Sequence, residues 1–95
     1  MEFEWDDAKA AANLEKHGIA FEEAARIFNG PVLTRIDDRE EYGERREISL
    51  GRLAQEVILV VVHTDRNGVT RIISARLASR AERKLYHEHC EKIAR

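Results

Sequence analysis

The stretch Arg71-Ile-Ile-Ser-Ala-Arg-Leu-Ala-Ser-Arg-Ala-Glu-Arg-Lys-Leu-Tyr86 joins two different periodicities, and the rest of the chain is organised around it. Its second half has helical spacing and opens with Ser79 and Glu82, the two residues of a Ser-x-x-Glu capping box. Its first half alternates as a strand does and predicts two faces, one with Arg71, Ile73, Ala75 and Leu77 and the other with Ile72, Ser74 and Arg76. We therefore predict a strand that runs directly into a helix.

The predicted helix carries four basic side chains on one face, at i, i+3, i+4 and i+7: Arg80, Arg83, Lys84 and His87. Arg76 precedes the helix N-terminus, which adds partial positive charge and free N–H groups. Together they predict a binding site for a polyanion. The alternative is a solvated helix face whose cations pair with Glu88 and Glu91.

Upstream, Val57–Thr64 is apolar on both faces, which is typical of a central strand. Asn67-Gly68 predicts a tight hairpin into the strand Val69–Leu77. The other predicted elements are a short edge strand Glu2–Trp5, a helix from the Asp6 cap to about Lys16, a helix Phe21–Phe28, strands Val32–Ile36 and Glu44–Leu50, a charged loop Asp37–Gly43, a turn Gly51–Gln55 and a helix Ser79–Ala94. This order predicts an α+β fold with two N-terminal helices, an antiparallel β-sheet and a C-terminal helix.

Length and composition predict one folded domain over residues 1–95, because 43% of the residues are hydrophobic and 36% are charged. No apolar run is long enough to span a membrane. The acidic start Met1–Asp7 has no signal-peptide pattern, and the single Cys90 cannot form an internal disulfide. We therefore expect a cytoplasmic protein that does not act at a membrane.

The net charge of −2 hides an asymmetry along the chain. Residues 1–44 carry a net charge of −7, whereas residues 45–95 carry +5. A basic half indicates a surface for nucleic acid on one side of the protein. The alternative is charge pairing between the two halves.

RNA cleavage without a metal needs a base for the 2′-hydroxyl, charge stabilisation at phosphorus and an acid for the 5′-oxygen. Arginine can supply only the second of these, because its guanidinium does not lose its proton. The sequence offers acid/base candidates in His17, His63, Glu47, Glu82 and Tyr86. Each has a structural alternative: Glu82 completes a cap, Tyr86 and His63 fit a core, and His17 suits the end of a helix.

A metal site is not expected. His87 and His89 stand at i and i+2, so they point to opposite sides of a helix, and Cys90 has no second cysteine. We expect no cofactor either, since the chain has no phosphate-binding glycine loop and no nucleophile elbow.

The chain resembles the BrnT family of bacterial type II toxins. The stretches that carry the resemblance are Phe3-Glu-Trp-Asp6, Lys9 with Asn13, Lys16-His-Gly-Ile19, Phe21-Glu-Glu-Ala24, Glu44-Arg45, Gly51-Arg52, Leu59-Val-Val-Val62 with Thr64, Arg71-Ile-Ile-Ser-Ala-Arg76, Ala78, and Glu82-Arg83 with Tyr86. Two departures are Asp7, where such proteins often have proline, and Ala20, where a Ser or Thr cap is usual.

The resemblance implies a RelE-like ribonuclease fold, RNA cleavage that stops translation, and neutralisation by a BrnA-like antitoxin with a ribbon-helix-helix domain. Operator DNA would be bound only through the toxin–antitoxin complex, and the resemblance leaves room for an RNA substrate that the ribosome presents. The catalytic residues expected on this basis are Arg76, Arg80, Glu82, Arg83, Tyr86 and His63. The expected RNA-binding residues are Arg45, Arg66, Arg71 and Lys84. The alternative is a non-enzymatic binding module whose basic face docks an acidic partner protein.

Overall fold

The computed structural model describes residues 1–94 and contains a five-stranded sheet with strand order β1-β5-β4-β3-β2. The elements in chain order are β1 (Glu2–Glu4), α1 (Asp7–His17), α2 (Phe21–Ala25) continued by a 3₁₀ turn (Arg26–Asn29), β2 (Val32–Ile36), β3 (Glu47–Ala54), β4 (Val57–Arg66), β5 (Val69–Leu77) and α3 (Arg80–Ile93). The predicted α+β order is confirmed. Strands β2 to β5 are antiparallel as predicted, whereas the edge strand β1 joins β5 in parallel. Over the described residues, no helix is both long enough and apolar enough to cross a membrane.

The central strand β4 divides two hydrophobic cores, as its two apolar faces predict. On one face, Leu59 and Val61 pack with residues of α2 and the 3₁₀ turn, including Phe21 and Ile27. On the other face, Ile58, Val60 and Val62 pack with Tyr86 of α3, Ile48 and Leu50. The sheet is therefore covered by α2 on one side and by α3 on the other.

Caps set the ends of α1 as predicted. The Asp6 carboxylate accepts from the Lys9 N–H at 3.0 Å, and Gly18 ends the helix in the left-handed conformation at φ 72°. Replacing Asp6 with alanine is expected to cost about 1 kcal/mol of unfolding free energy, measurable by urea denaturation. Asp7→Asn is the matched control, since its side chain makes no capping bond, and an equal loss in both variants would contradict the capping role.

The predicted turn at Gly51–Gln55 is wrong in part, because Gly51 lies inside β3, which continues to Ala54. A Cβ on Gly51 would lie 2.7 Å from the Cβ of Ile27, so only glycine lets the 3₁₀ turn pack this closely on the sheet. Sequence reasoning interpreted the glycine as a turn signal, whereas it serves close packing. The same strand begins at Glu47 and not at the predicted Glu44.

The strict alternation predicted for β5 is also wrong. The pairing register shifts between Val62 and His63, so Ile73 is an extra residue in a β-bulge. Ile72 and Ala75 consequently share one core, while Ile73 packs against the other core, on the α3 side. A bulge changes which residues share a face, and alternation alone cannot detect it.

Strand β1 pairs with β5 only as far as Arg71, and further along β5 a side chain forms the hydrogen bonds of the missing strand. Asn13 of α1 donates to the Ala75 carbonyl at 2.9 Å and accepts from the Ala75 N–H at 3.0 Å. Its amide also donates to the Ile19 carbonyl at 3.0 Å. The buried Asn13 amide thus takes the place of a neighbouring strand, and it fixes α1 against the sheet.

Candidate active site

Arg76 and Glu82 form a two-point ion pair where β5 meets α3. Nη1 of Arg76 donates to Oε1 of Glu82 at 2.8 Å, and Nη2 donates to Oε2 at 2.9 Å. Oε1 also accepts from the Ser79 N–H at 2.7 Å, and the Ser79 hydroxyl accepts from the Glu82 N–H at 3.2 Å. The predicted capping box is confirmed, and the carboxylate that completes it also holds the arginine.

This pairing determines the protonation of Glu82. The hydrogen bond from Arg76 lowers the pKa of Glu82 to about 2, and the same bond raises the pKa of Arg76. A general base works best when its pKa lies near the operating pH, and both oxygens of Glu82 already accept hydrogen bonds. The geometry therefore favours Glu82 as the residue that positions Arg76, and it gives no support to the predicted acid/base role.

An apolar groove opens beside this ion pair, between β2 and α3. It is lined by Leu33, Arg35, Leu50, Glu82 and Leu85, and it offers about 90 Å³ of space. Leu33 packs against the core on the α3 side, so Arg35, two residues along β2, lies on the same face of the sheet. Within residues 1–94, Arg35 has no ion-pair partner. The unpaired guanidinium of Arg35 therefore lines the same groove as Glu82, the residue that holds Arg76.

A second arginine approaches from the loop after β2. Arg39 binds the buried Asp37 carboxylate at two points, 2.7 Å and 2.8 Å, and this bond lowers the pKa of Asp37 to about 2. The charge of Arg39 also acts on Arg76, where it opposes the rise in pKa that Glu82 causes. Asp37 continues the alternation of Leu33 and Arg35, since its N–H still donates to the Arg46 carbonyl at 2.8 Å, so Arg39, which binds the Asp37 side chain, lies on the same side of the sheet as Arg35 and Arg76.

Sequence reasoning missed both Arg35 and Arg39. The alternation of β2 could have placed Arg35 on the face of Leu33, but it could not say that this face meets α3. Arg39 lies in a charged loop, and no sequence signal indicates where such a loop folds.

The structure separates the remaining helix arginines from Arg76. Arg80, Arg83, Lys84 and His87 line a shallow depression on α3 together with Glu88 and Glu91. A helix turns about 100° per residue, so Glu82 and Arg83 project from different flanks of α3. The predicted single cluster of Arg76, Arg80 and Arg83 is thus two separate surfaces.

Tyr86 is a core residue. Its side chain is 1% exposed, and its hydroxyl donates to the Pro31 carbonyl at 2.8 Å. Burial raises the pKa of this phenol, which keeps it protonated. The predicted catalytic role of Tyr86 has no support in this geometry, because RNA cannot reach the ring.

His63 is buried on the opposite face of the sheet, under Phe28, with ring centroids 5.1 Å apart. Its Nε2 shares a 2.7 Å hydrogen bond with the Ser49 hydroxyl, which is in turn 2.7 Å from the Thr34 hydroxyl. The sheet lies between His63 and Arg76, so the predicted catalytic role of His63 likewise lacks support. Glu47, another acid/base candidate, is its cross-strand neighbour.

The environment of His63 predicts a pH dependence of stability. Burial lowers the pKa of His63, partly offset by the charge of Glu47, so the unfolded chain binds this proton more readily than the folded chain. The unfolding free energy should therefore fall as the pH drops below about 6.5. Urea denaturation at a series of pH values checks this, and His63→Gln should flatten the dependence between pH 6.5 and 5. An unchanged slope in that variant would contradict it.

The predicted RNA-binding arginines lie at the other end of the sheet. Arg71 is five residues from Arg76 along β5, or about 16 Å. It pairs with Glu4 at 2.7 Å, and Arg66 pairs with Glu44 at 3.2 Å. Arg45 is exposed near the same end, where its carbonyl accepts from Thr64. These arginines form no continuous surface with Arg76.

The arrangement around Arg76 can bind and stabilise an anion. Three guanidinium groups share one side of the sheet, and only Arg76 and Arg39 are paired with carboxylates. Among residues 1–94, no group of three His, Cys, Asp or Glu side chains is placed to hold a metal ion.

Comparison with known proteins agrees with this chemistry. A family described as "Ribonuclease toxin, BrnT, of type II toxin-antitoxin system" matches residues 5–82. The crystal structure of the Brucella abortus ribonuclease toxin BrnT superposes with a TM-score of 0.65 at 23% identity, covering 84% of this chain and 99% of that one, which shows a shared fold. No curated protein sequence matches. Because the family match spans most of its length, the chain belongs to the BrnT family of ribonuclease toxins of type II toxin–antitoxin systems.

Proposed function

We propose that this protein is a metal-independent endoribonuclease whose reaction centre is Arg76, with Arg35 and Arg39 around it. The observation that carries the proposal is the placement of these guanidinium groups on one side of the sheet, where Arg35 lines a groove together with Glu82, the residue that binds Arg76. Planar guanidinium groups match the oxygens of a phosphate and keep their charge at every physiological pH.

In the proposed reaction, the 2′-oxygen of a ribose attacks the adjacent phosphorus while the bond from phosphorus to the 5′-oxygen breaks. The 2′-hydroxyl gives its proton to solvent water and the leaving 5′-oxygen takes one from solvent water, so the products are a 2′,3′-cyclic phosphate and a 5′-hydroxyl. Negative charge builds on the phosphoryl oxygens in the transition state, and Arg76 stabilises it there. Glu82 holds the guanidinium in its bidentate orientation until the phosphate replaces the carboxylate.

Purified protein incubated with RNA tests this proposal. Cleavage that persists in the presence of a chelator and ends in cyclic phosphates is the expected result. Loss of cleavage on chelation would overturn metal independence. Binding of RNA with no cleavage under any condition would favour the non-enzymatic binding module.

We further propose that the target is translated mRNA in the cytoplasm, so that cleavage inhibits translation as RelE-like toxins do. The net charge of −2 supports this, because a protein with so little positive charge gains little from non-specific attraction to free RNA. A substrate presented by the ribosome does not need that attraction. Faster cleavage of translated than of free mRNA is expected.

A type II toxin has an antitoxin partner, and we propose that this one is a BrnA-like ribbon-helix-helix protein encoded beside the toxin. The complex should bind operator DNA much more tightly than the toxin alone. Equal DNA affinity of the free chain and the complex would count against the proposal.

The groove beside Arg76 offers the antitoxin a place to dock. Leu85 is 54% exposed there, although it is apolar and next to the proposed centre. An antitoxin segment with an apolar side chain in the groove and a carboxylate on Arg35 would cover Leu85 and block access to Arg76.

Leu85→Asp is expected to weaken antitoxin binding about 10-fold or more, because it places a charge in an apolar contact. The melting temperature should stay nearly unchanged, since position 85 is largely exposed. Isothermal titration of the antitoxin measures the effect, with Leu14→Asp as the control, because Leu14 is 52% exposed on α1. Wild-type affinity in Leu85→Asp would show that the antitoxin docks elsewhere.

A further inference from the structure

A second basic depression lies on α1 where this helix runs beside β5. Its polar lining consists of Lys9, Asn13, Lys16, His17 and Ser74. No carboxylate lines it, and neither lysine forms an ion pair within residues 1–94. His17 is the one acid/base candidate of the sequence that borders a surface depression and whose side chain forms no hydrogen bond in the described structure.

The other basic depressions on the described surface differ in this respect. The depression on α3 includes Glu88 and Glu91, and the groove beside Arg76 includes Glu82. In those places a carboxylate already offsets the cations. On α1 no carboxylate lines the depression, and the carboxylate of Asp6 at the start of the helix is bound by the backbone N–H of Lys9. The positive charge of this surface is therefore not offset by lining carboxylates, as it is in the α3 depression and in the groove beside Arg76.

The depression borders β5, the strand that carries Arg76, and hydrogen bonds hold its floor in place. Asn13 forms part of its floor and is tied to Ala75 through both its donor and its acceptor. The β-bulge at Ile73 turns Ile73 and Ser74 to the side of the sheet that faces α3. Ser74 and Arg76 flank Ala75, so they share that side and are about 7 Å apart, close to the spacing of successive phosphates in a nucleic acid strand.

We propose that this depression binds the phosphodiester backbone of single-stranded RNA next to the nucleotide held at Arg76. Lys9 and Lys16 contact phosphates, and the Ser74 hydroxyl and Asn13 edge lie beneath the sugar. The strand then runs from Arg76 across the edge of β5 to α1. The inference rests on the proposed ribonuclease function and assigns it a substrate path.

Lys16 and His17 also lie in the last turn of α1, where cations stabilise the helix dipole. That role is worth only about 0.3–1 kcal/mol and requires no contact with RNA. The salt dependence of RNA binding distinguishes stabilisation of the helix from contact with RNA. Removing a phosphate contact changes the slope of log K against log salt, whereas removing a charge that only stabilises the helix dipole does not.

The test uses short single-stranded RNA with 2′-O-methyl groups, which cannot be cleaved, and measures affinity at several salt concentrations. In the double variant Lys9→Ala/Lys16→Ala, the slope of log K against log salt should fall by about 1.4, since each phosphate contact with a single strand contributes about 0.7. Lys92→Ala on α3 is the matched control, because Lys92 is exposed and distant along the chain from both surfaces. It should keep the wild-type slope.

Cleavage of unmodified RNA provides the second readout. The double variant should raise KM while leaving kcat nearly unchanged, because the lysines bind flanking nucleotides and do not act at the reacting phosphate. A wild-type salt slope in the double variant, or no RNA binding by the wild-type protein, would overturn this inference. Absence of cleavage by a wild-type protein that binds RNA with the expected slope would overturn the proposed ribonuclease reaction instead.

Discussion

Replacing Arg76 with alanine is expected to lower the rate of RNA cleavage about 100- to 1,000-fold, since it removes a charge that stabilises the transition state. The fold should survive, because the Arg76 side chain is 45% exposed and contributes to no core. Single-turnover cleavage by the purified variant measures the effect. In cells the variant should no longer arrest growth while it still binds the antitoxin.

Three companion variants make the result specific. Arg76→Lys keeps the charge but loses the bidentate geometry, and it should recover only part of the rate. Glu82→Gln can still complete the capping box, so a modest loss of rate indicates that Glu82 positions Arg76, whereas complete loss at an unchanged melting temperature assigns it a chemical role. Arg83→Ala is the matched surface control on α3. If Arg83→Ala lowers the cleavage rate as much as Arg76→Ala does, the depression on α3 is the cleavage site instead.

Replacing Asn13 with alanine is expected to cost about 3 kcal/mol or more of unfolding free energy, because it leaves three backbone groups without their partner. In a domain of this size, such a loss lowers the melting temperature by roughly 12–24 °C. The effect comes from the Ala75 N–H and C=O and the Ile19 C=O, which alanine cannot satisfy. Calorimetry and hydrogen exchange at the Ala75 amide measure it.

Two controls accompany this variant. Glu15→Ala, at an exposed position of the same helix, should change stability by less than about 0.5 kcal/mol. Asn13→Asp retains an acceptor for the Ala75 N–H but places a negative charge beside two carbonyl oxygens, so it should be at least as destabilising as alanine. If Asn13→Ala has the melting temperature of the wild type, this side chain does not hold the edge of β5.

Much of the fold could be predicted from short-range signals. The Asp6 cap and Gly18 define α1, and Asn67-Gly68 forms the predicted hairpin with φ values of 55° and 84°. The bounds of β2 and β5 match the prediction, and Val57–Thr64 lies in the central strand. These features depend on residues within a few positions of one another, so the sequence displays them directly.

Less of the candidate site than of the fold could be predicted from the sequence. Sequence spacing correctly predicted the capping box of Glu82, but it grouped Arg76 with Arg80 and Arg83, which line a different surface. The burial of Tyr86 and His63 follows from contacts with Pro31 and with Phe28 and Ser49, all distant in the chain. The sequence left open whether these residues are core residues or catalytic ones, and the packing places both in the core.

The sequence by itself determined the order of elements, the strand-to-helix junction at Ser79 and the presence of basic residues around it, because caps, turns and periodicity act locally. Only the tertiary structure decided which of those residues meet. The bulge at Ile73 changes which residues of β5 share a face, Gly51 allows the 3₁₀ turn to pack on the sheet, and the loop after β2 folds so that Arg39 binds Asp37 on the side of the sheet that carries Arg76. Each depends on backbone segments that approach through space, and residue patterns within one segment carry no information about that approach.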